Sequence, residues 1–472
     1  MLPKREEQKT GVAAVMATVV AKKKRAVINP PGMSEDCLFL NVYVPGTLNA
    51  TTAQRKLPVV VWIHGGGYSR GSASGISDID FFDGNDLIKE SPVGTPVIAV
   101  VIQYRLGLFG FLAGSEVGKE GMLNVGSLDQ QAALRWVHEH IPKFGGDPGH
   151  VIVWGQSAGA GSSIQHMLGN GGNTEPKLLK SIISSSDFLP SQYLFDDPIP
   201  EVRVVPIPVV SPCATVGDKL SCLRSASVDL LAQINDNMTL SGFFGTFTFT
   251  PVIDGKFIMK RISQLLREGN FNGEVVFANS NSFEGIHFVN PAHPLPLNIY
   301  VKNLFPNIGD AEIRRAVEIY SSIRKDPGGN TTLTMTNQAV AVHGEAILIC
   351  PTYWLLQAFN GKTYKAEFAI PPGDHIIDVP YYWPSQGDGP EYKNPEFDAA
   401  FSSSFLNFAV FQDPVGNGTP TWDRWSNGKN GMVEMLFNKT EDGQPVIRAV
   451  QTDEGLLERC RFWESVGHVT GQ

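Results

Sequence analysis

The chain has 472 residues, of which 42% are hydrophobic and 18% charged, and its formal net charge is −9 at pH 7. This length and apolar content suffice for a large buried core, in one oversized α/β domain or in two domains. The negative charge, with no basic block longer than Lys22 to Arg25, argues against a general nucleic-acid binder. No apolar run approaches the length that crosses a bilayer.

Residues 1–32 differ in composition from the rest of the chain. A start with charges of both signs is followed by a short apolar run over residues 11–21 and a basic block over residues 22–25. A run of that length fits the core of a signal peptide. The acidic pair Glu6-Glu7 and the lysines directly after the run argue against one, so a poorly ordered tail or a misassigned gene start is favoured.

The first half of the chain alternates between strand and helix patterns. Ser34–Pro45 alternates apolar and polar residues, which predicts a strand. Leu57–Ile63 and Val97–Ile102 are continuous apolar runs, typical of buried parallel strands. Leu128–His140 has helical spacing, and a further strand begins at Val151. This alternation predicts a doubly wound, mostly parallel sheet.

The second half continues the α/β pattern less regularly. The predicted strands are Ser181–Ser184, Glu274–Ala278 and Tyr364–Ile370, and the predicted helices are Met259–Gly269, Ala311–Lys325, Ala339–Phe359 and Phe397–Phe411, with Cys460–Trp463 in a last helix. Asp196–Pro212 is rich in proline, shows no helical period and is predicted to be irregular.

Ser157 follows the apolar run Val151–Trp154, inside the sequence Gly155-Gln-Ser-Ala-Gly159. A G-x-S-x-G sequence between a strand and a helix-compatible stretch is typical of a nucleophile elbow. The turn is too sharp for side chains beside the serine, which explains the flanking glycines. Alone, this five-residue match fits a glycine-rich connection equally well.

A nucleophilic serine needs a base to accept its proton, and the base needs an acid to orient it. In α/β-hydrolases the acid and then the base follow the serine along the chain. Glu284 is the favoured acid because it follows a predicted strand, whereas Asp254 fits a type I or II turn better. His375, after a strand and a Pro-Pro-Gly turn, is the favoured base. The simpler interpretation of Glu284 is a solvated loop glutamate.

A glycine run, His64-Gly-Gly-Gly67, opens directly from the predicted strand Leu57–Ile63. Backbone N–H groups of such a run can approach a ligand closely, and an HGGG motif supplies oxyanion-hole donors in lipases and esterases. The alternative is a flexible turn. The position upstream of a G-x-S-x-G elbow favours the oxyanion hole.

Further stretches occur in the order known from one family: Glu35–Val42, Val61–Gly67, Asn124–Gln131, Phe144–Pro148, Pro251–Gly255 and Cys460–Trp463. With the elbow, they resemble the type-B carboxylesterase/lipase family, which includes cholinesterases and fungal secreted esterases and lipases. The resemblance runs from about Ser34 to the C-terminus. It implies a single α/β-hydrolase domain over residues 33–472, with a large, mostly parallel central sheet flanked by helices. Residues 1–32 would then be an atypical, poorly ordered segment that lacks the family's usual N-terminal strands.

The resemblance also assigns roles to individual residues. Asn281–Gly285 and His375–Tyr381 are similar to family motifs, which implies Ser157 as nucleophile, Glu284 as acid and His375 as base. Three backbone N–H groups match the family's oxyanion-hole donors, those of Gly66, Gly67 and Ala158.

Several positions near these residues depart from the family pattern. Ile376 replaces the usual glycine after the base, which predicts a stiffer loop. Gln156 replaces the commoner glutamate before the serine, so a cationic substrate such as choline is disfavoured. Phe247 aligns with a substrate-binding aromatic of the acyl pocket, whereas Gly245 stands where some relatives have a second aromatic, which predicts a wider pocket.

The resemblance further implies a secreted, glycosylated protein with two disulfides. Cys213 and Cys222 match a short family disulfide, Cys350 and Cys460 match a long-range one, and Cys37 lacks its usual upstream partner. The Asn-x-Ser/Thr sequons, mild support for secretion, lie at Asn49, Asn237, Asn330, Asn417 and Asn438.

The sequence thus predicts a serine hydrolase that cleaves carboxylic esters through an acyl-enzyme on Ser157, with no metal or cofactor. Its expected partner is a small-molecule or lipid ester, without nucleic acid and without stable membrane insertion. Two alternatives are a non-catalytic cholinesterase-like binding protein, which usually lacks one of the three catalytic residues, and a truncated, inactive family member.

Overall fold

The structure is a computed structural model that describes residues 34–76, 79–80, 82–204, 213, 218–321, 323, 334–385, 389–416, 418–425 and 431–472. The predictions for residues 1–32 and for the sequons at Asn330 and Asn417 lie outside the described residues.

The strands of the described chain are β1 (Leu40–Tyr43), β2 (Leu57–Ile63), β3 (Gly75–Ile76), β4 (Ile79–Asp80), β5 (Ile98–Ile102), β6 (Gly146–Gln156), β7 (Ser181–Ser185), β8 (Val275–Asn281), β9 (Thr363–Phe368), β10 (Val433–Lys439) and β11 (Pro445–Gln451). Nine of them form one sheet in the order β1-β5-β2-β6-β7-β8-β9-β10-β11. β1 is antiparallel to β5 and β11 is antiparallel to β10, and the remaining neighbours are parallel. The predicted large, mostly parallel sheet is therefore confirmed.

The α-helices of the same residues are α1 (Asn85–Lys89), α2 (Gly107–Phe111), α3 (Ser115–Lys119), α4 (Val125–His140), α5 (Ala158–Gly172), α6 (Pro198–Val204), α7 (Lys219–Ser225), α8 (Val228–Ser241), α9 (Ile262–Glu268), α10 (Leu297–Leu304), α11 (Asp310–Ser321), α12 (Met335–His343), α13 (Cys350–Ala358), α14 (Val379–Tyr382), α15 (Pro395–Phe411), α16 (Glu454–Ser465) and α17 (Gly467–Thr470). A π-helical stretch, Gly344–Ile349, joins α12 to α13.

The apolar run of β2 is buried on both faces of the sheet. Val59, Val61 and Ile63 contribute to one hydrophobic core, whereas Val60 and Trp62 contribute to the core on the other face. Alternate residues of a strand point to opposite faces, so a strand covered by helices on both sides has no polar face. This explains why the central strands read as continuous apolar runs.

Two sequence predictions about helices were wrong in part. The Asp196–Pro212 stretch, predicted to be irregular, contains α6. Pro198 begins this helix, where a missing N–H leaves no hydrogen bond unmade and the fixed φ suits the first turn. Cys460–Trp463 does lie in a helix, α16, but α17 follows it, so α16 is not the last.

One helical segment has the length and composition of a membrane span, although no such run was expected. Met335–Ala358 has 24 residues, but 89% of its apolar window is buried inside the protein. Burial of this extent is that of a core helix in a globular fold. No other helix in the described part of the chain meets the same criteria.

Both predicted disulfides are present. Cys213 is bonded to Cys222, and Cys350 at the start of α13 is bonded to Cys460 in α16. Cys37 is unpaired, as expected. The Trp354 indole N–H donates to the Cys460 carbonyl at 3.0 Å, so the second disulfide lies within a packed helix pair.

The two disulfides should differ in their effect on stability because they close loops of different length. The bonded cysteines are 110 residues apart in the second disulfide and 9 apart in the first. By loop entropy, the double variant Cys350→Ala/Cys460→Ala should lose about 4–5 kcal/mol and Cys213→Ala/Cys222→Ala about 2–3 kcal/mol. Chemical denaturation of both variants beside the parent measures this, and a larger loss for the short loop would contradict the argument.

Candidate active site

Ser157 occupies a strained turn between β6 and α5. Its backbone φ is 56° and ψ is −124°, which a side-chain-bearing residue rarely adopts. A Cβ built on Gly155 would overlap the backbone of Gly159, and a Cβ on Gly159 would overlap the carbonyl of Ile63. Both glycines are therefore required for steric reasons, and the turn has the backbone geometry of a nucleophile elbow.

The other two predicted residues follow neighbouring parallel strands. Glu284 lies just after β8 and His375 lies after β9. Since carboxyl ends of parallel strands meet at one edge of a sheet, both loops lie beside the elbow. The Phe283 N–H donates to the Gly373 carbonyl at 2.8 Å, which joins the two loops to each other.

The structure brings Ser157, His375 and Glu284 into one hydrogen-bonded chain. His375 Nε2 lies 3.0 Å from Ser157 Oγ, and His375 Nδ1 lies 2.5 Å from Glu284 Oε2. All three side chains are buried. The rival acid, Asp254, instead accepts hydrogen bonds from Asn124 and from the backbone of its own turn.

The carboxylate of Glu284 is held on its far side by Asn281. The Asn281 backbone N–H donates to Glu284 Oε1 at 2.6 Å, and its side-chain amide donates to Asp378 Oδ1 at 3.1 Å. Asp378 also accepts from the Tyr382 hydroxyl at 2.6 Å. The hydrogen bond between Asn281 and Asp378 was not predicted, because it joins residues 97 positions apart that only the fold brings together.

The glycine run forms a tight loop against the elbow. Gly66 and Gly67 have φ values of 103° and 63°. A Cβ on Gly66 would overlap the Arg70 carbonyl, and a Cβ on Gly67 would overlap the Phe247 ring. A Cβ on Gly65 would lie 3.0 Å from Ser157 Cβ, so this loop packs directly beside the serine. Ala158, the third expected donor, is the first residue of α5.

His64 and Tyr104 support the glycine loop from behind. His64 Nδ1 lies 2.9 Å from the Gly65 carbonyl, and the Tyr104 hydroxyl donates to the His64 carbonyl at 2.9 Å. The two rings stack with centroids 4.4 Å apart. Burial lowers the pKa of His64 to about 4, so the ring is neutral and its Nδ1–H donates. Nothing in the sequence pattern pointed to Tyr104.

The Phe247 ring packs on Gly67 of the glycine loop and also lines a cavity of about 340 Å³. Gly245 also lines this cavity, with a φ of 86°, and a Cβ there would overlap the Phe288 carbonyl. A second aromatic side chain at this position would therefore not fit without backbone movement.

Acidic groups crowd the buried side of the site. Burial raises the pKa of Asp187 to about 6, and the nearby Glu284 carboxylate adds to the shift. Burial and Glu284 also raise the pKa of Asp374 to about 6. His287 Nε2 lies 3.5 Å from Asp374 Oδ2, and burial lowers the pKa of His287 to about 4. The described residues contain no group of three or more His, Cys, Asp or Glu side chains placed to hold a metal ion.

Asp187 should make folding stability fall as pH rises. Its pKa in the folded protein is about 6 against an ordinary value of 3.8, so the folded state binds this proton more tightly than the unfolded state. The stability that this tighter proton binding contributes is complete below pH 3.8 and is lost as pH rises through 6. The free energy of unfolding lost in this way is about 3 kcal/mol. Asp187→Asn, which cannot ionise, should therefore gain stability relative to the parent by about 3 kcal/mol between pH 4 and pH 8.

Urea unfolding of both proteins across that pH range measures the difference. Asp196→Asn is the matched control, because Asp196 is exposed. A stability difference between Asp187→Asn and the parent that does not change with pH would contradict the assignment of a raised pKa.

The parallel sheet and its strand–elbow–helix connection define an α/β-hydrolase. The structure superimposes on the crystal structure of Aspergillus niger EstA with a TM-score of 0.79 and 25% sequence identity, covering 94% of this chain and 86% of that one. The "Secreted lipase" of Arthroderma benhamiae is 27% identical over 92% of this chain and 83% of its own length. "Lipase 2" of Diutina rugosa is 34% identical over 86% of this chain and 75% of its own length.

The model of the carboxylesterase family matches residues 5–463. The chain therefore belongs to the carboxylesterase family, and it is a carboxylic ester hydrolase. The match begins earlier than Ser34, where the resemblance was expected to begin. The prediction of family and fold is confirmed.

Proposed function

We propose that Ser157 is the nucleophile of a two-step ester hydrolysis in which His375 is the general base and Glu284 orients it. The observation that carries this proposal is the unbroken chain from Ser157 Oγ through the imidazole to Glu284 Oε2, with separations of 3.0 and 2.5 Å. With Nδ1 protonated and donating to Glu284, Nε2 is free to accept the serine proton.

In the first step, Ser157 Oγ bonds to the ester carbonyl carbon and its proton moves to His375 Nε2. The carbonyl oxygen becomes an oxyanion, and the N–H groups of Gly66, Gly67 and Ala158 are the proposed donors to it, each worth on the order of 3 kcal/mol. Collapse of this intermediate breaks the bond to the alcohol oxygen, which takes the proton from Nε2. The acyl group remains on Ser157.

In the second step, His375 Nε2 accepts a proton from water while the water oxygen bonds to the acyl carbon. The second oxyanion collapses with cleavage of the bond to Ser157 Oγ, which takes the proton back, and the carboxylic acid leaves. Every proton moves between the reactants and Nε2, so the chemistry is balanced by the chain's own residues.

The surroundings of the base favour uncharged esters. Gln156 Nε2 lies 3.4 Å from His375 Nε2, so a neutral amide lies beside the base where the family resemblance leads us to expect a glutamate. Without that negative charge, a cationic alcohol group lacks one electrostatic attraction beside the base. We propose a neutral small-molecule or lipid ester as substrate, with its acyl group directed toward Phe247.

We also propose one α/β-hydrolase domain over residues 33–472, because the sheet takes strands from β1 near the start of the described chain to β11 near its end. Secretion is a further proposal. It is supported by the two disulfides and by the printed name of the Arthroderma benhamiae relative.

Replacing the proposed nucleophile should abolish turnover. Ser157→Ala removes the atom that bonds to the acyl carbon, so kcat/KM for p-nitrophenyl butyrate should fall by a factor on the order of 10⁴–10⁶. The release of p-nitrophenol by both purified proteins measures this loss, and acetate, butyrate and palmitate esters give the chain-length profile.

Ser163→Ala is the matched control, since this buried serine lies on α5 and its hydroxyl donates to the Gly159 carbonyl at 3.0 Å. It should keep most of the activity. A folded Ser157→Ala protein that still hydrolyses the esters would refute the mechanism, and a folded but inactive parent would favour the non-catalytic binding protein.

Phe247 should limit the length of the acyl group. Its ring lies between Gly67 and the 340 Å³ cavity and narrows the passage from Ser157 into that cavity, so Phe247→Ala should widen this passage. The ratio of kcat/KM for p-nitrophenyl octanoate to that for acetate should rise about tenfold.

Phe243→Ala serves as the comparison, because Phe243 lines the same cavity and its ring packs on Tyr300 with centroids 5.4 Å apart. It enlarges the cavity without opening the side next to Gly67 and should leave the ratio within about threefold of the parent. Equal shifts in both variants would show that Phe247 does not gate the acyl group.

A further inference from the structure

The cavity behind Phe247 combines an apolar wall with a polar one. The apolar wall includes Phe188, Met238, Phe243, Phe247, Leu304 and Ile347. None of the described residues that line the cavity carries a charged side chain. Such a space suits an uncharged group, because a charged one would lose its water without gaining a counter-ion.

Three hydroxyl groups of the polar wall already donate to backbone carbonyls. Ser241 and Thr248 both donate to the Met238 carbonyl, at 2.9 and 3.0 Å. Thr246 donates to the Phe243 carbonyl at 2.7 Å. Each donor hydrogen of these side chains is therefore used locally, and these residues do not call for a ligand.

His343 differs from these hydroxyl groups. It lines the cavity, is 1% exposed, and its Nδ1 lies 2.9 Å from the Tyr300 hydroxyl. Its ring stacks on Phe288 with centroids 4.9 Å apart and an interplanar angle of 2°. Its Nε2 is buried and has no hydrogen-bond partner among the described residues. An unpaired buried ring nitrogen is costly, which points to a partner supplied from outside the chain.

The chemistry of the imidazole defines that partner. Burial lowers the pKa of His343 to about 3, so the ring is neutral and one nitrogen carries the hydrogen. If Tyr300 donates to Nδ1, then Nε2 is a donor; if Nδ1 donates to Tyr300, then Nε2 is an acceptor. A hydroxyl group, which both donates and accepts, pairs with either tautomer.

The position of His343 relates the cavity to the reacting ester. Phe288 contacts His375 in a T-shaped arrangement, with ring centroids 5.2 Å apart, and stacks on His343. One aromatic ring thus separates the proposed base from the unpaired nitrogen. An acyl chain passing Phe247 would reach His343 several bonds from its carbonyl carbon, rather than at the reacting atoms.

We propose that His343 is a specificity-determining residue whose Nε2 hydrogen-bonds a hydroxyl group on the acyl chain of the ester. The preferred substrate is then an ester of a hydroxy-substituted carboxylic acid, with its methylene groups against the apolar wall. This inference rests on the proposed function, since it takes the acyl group to be held on Ser157.

The test compares methyl esters of ω-hydroxyalkanoic acids with unsubstituted methyl alkanoates of equal chain length, from four to twelve carbons, by pH-stat titration. For the parent, the ratio of kcat/KM for the hydroxylated to the plain ester should reach about tenfold at one chain length. His343→Phe keeps the stacking on Phe288 but lacks the nitrogen, so the ratio at that length should fall to about 1 or below, with kcat/KM for plain esters changed less than about threefold.

Two variants control for structural effects. His343→Gln retains a hydrogen-bonding group and should keep part of the preference. Tyr300→Phe removes the partner of Nδ1 but leaves Nε2 in place, so its preference should persist. Thermal melting of each variant establishes that it is folded. If His343→Phe does not fold, the kcat/KM ratios of the parent and of His343→Gln still test the proposal.

A parent ratio near 1 at every chain length would overturn the proposal, as would an equal preference in folded His343→Phe, and either would favour a water molecule at Nε2. These outcomes are distinct from failure of the proposed function. In that case Ser157→Ala would retain hydrolysis of plain and hydroxylated esters alike.

Discussion

The architecture of the site depends on the close approach of two backbones at the elbow. Gly159 lies so near the end of β2 that a single Cβ would overlap the Ile63 carbonyl. This contact keeps α5 against the sheet and holds Ser157 at a φ of 56°. Because β2 continues directly into the glycine loop, the same contact also fixes that loop relative to the serine hydroxyl. Strain of this kind persists only where surrounding packing enforces it.

Features set by local pattern were predictable from the sequence. The β2 strand was predicted with its observed bounds, and the elbow, Glu284 and His375 follow strands as expected. The α6 helix was missed because the many prolines of Asp196–Pro212 predicted an irregular segment, although a proline is well suited to the first turn of a helix. The β10–β11 hairpin was also missed, because polar residues interrupt both strands and neither strand forms a continuous apolar run. What pattern cannot reveal is distant packing, such as the Phe247 ring on Gly67.

The charges around Glu284 illustrate a second limit of sequence reading. Asp187 follows β7, whereas Asp374 and Asp378 lie in the loop after β9, and each of the three has a raised pKa to which Glu284 contributes. Their number along the chain is unremarkable for a protein with 47 acidic residues. Only the fold concentrates them, and burial then makes proton binding at one group sensitive to charge at the others.

The hydrogen bond from Phe283 to Gly373 has a consequence for motion in the site. It joins the loop of Glu284 to the loop of His375, and Gly373 also packs closely on Ser282. The acid and the base are therefore coupled through their loops, and the chain itself sets their mutual orientation before any substrate enters. Motion of these two loops would then change the distance from the imidazole to the serine hydroxyl, while the hydrogen bond between the imidazole and the Glu284 carboxylate is kept.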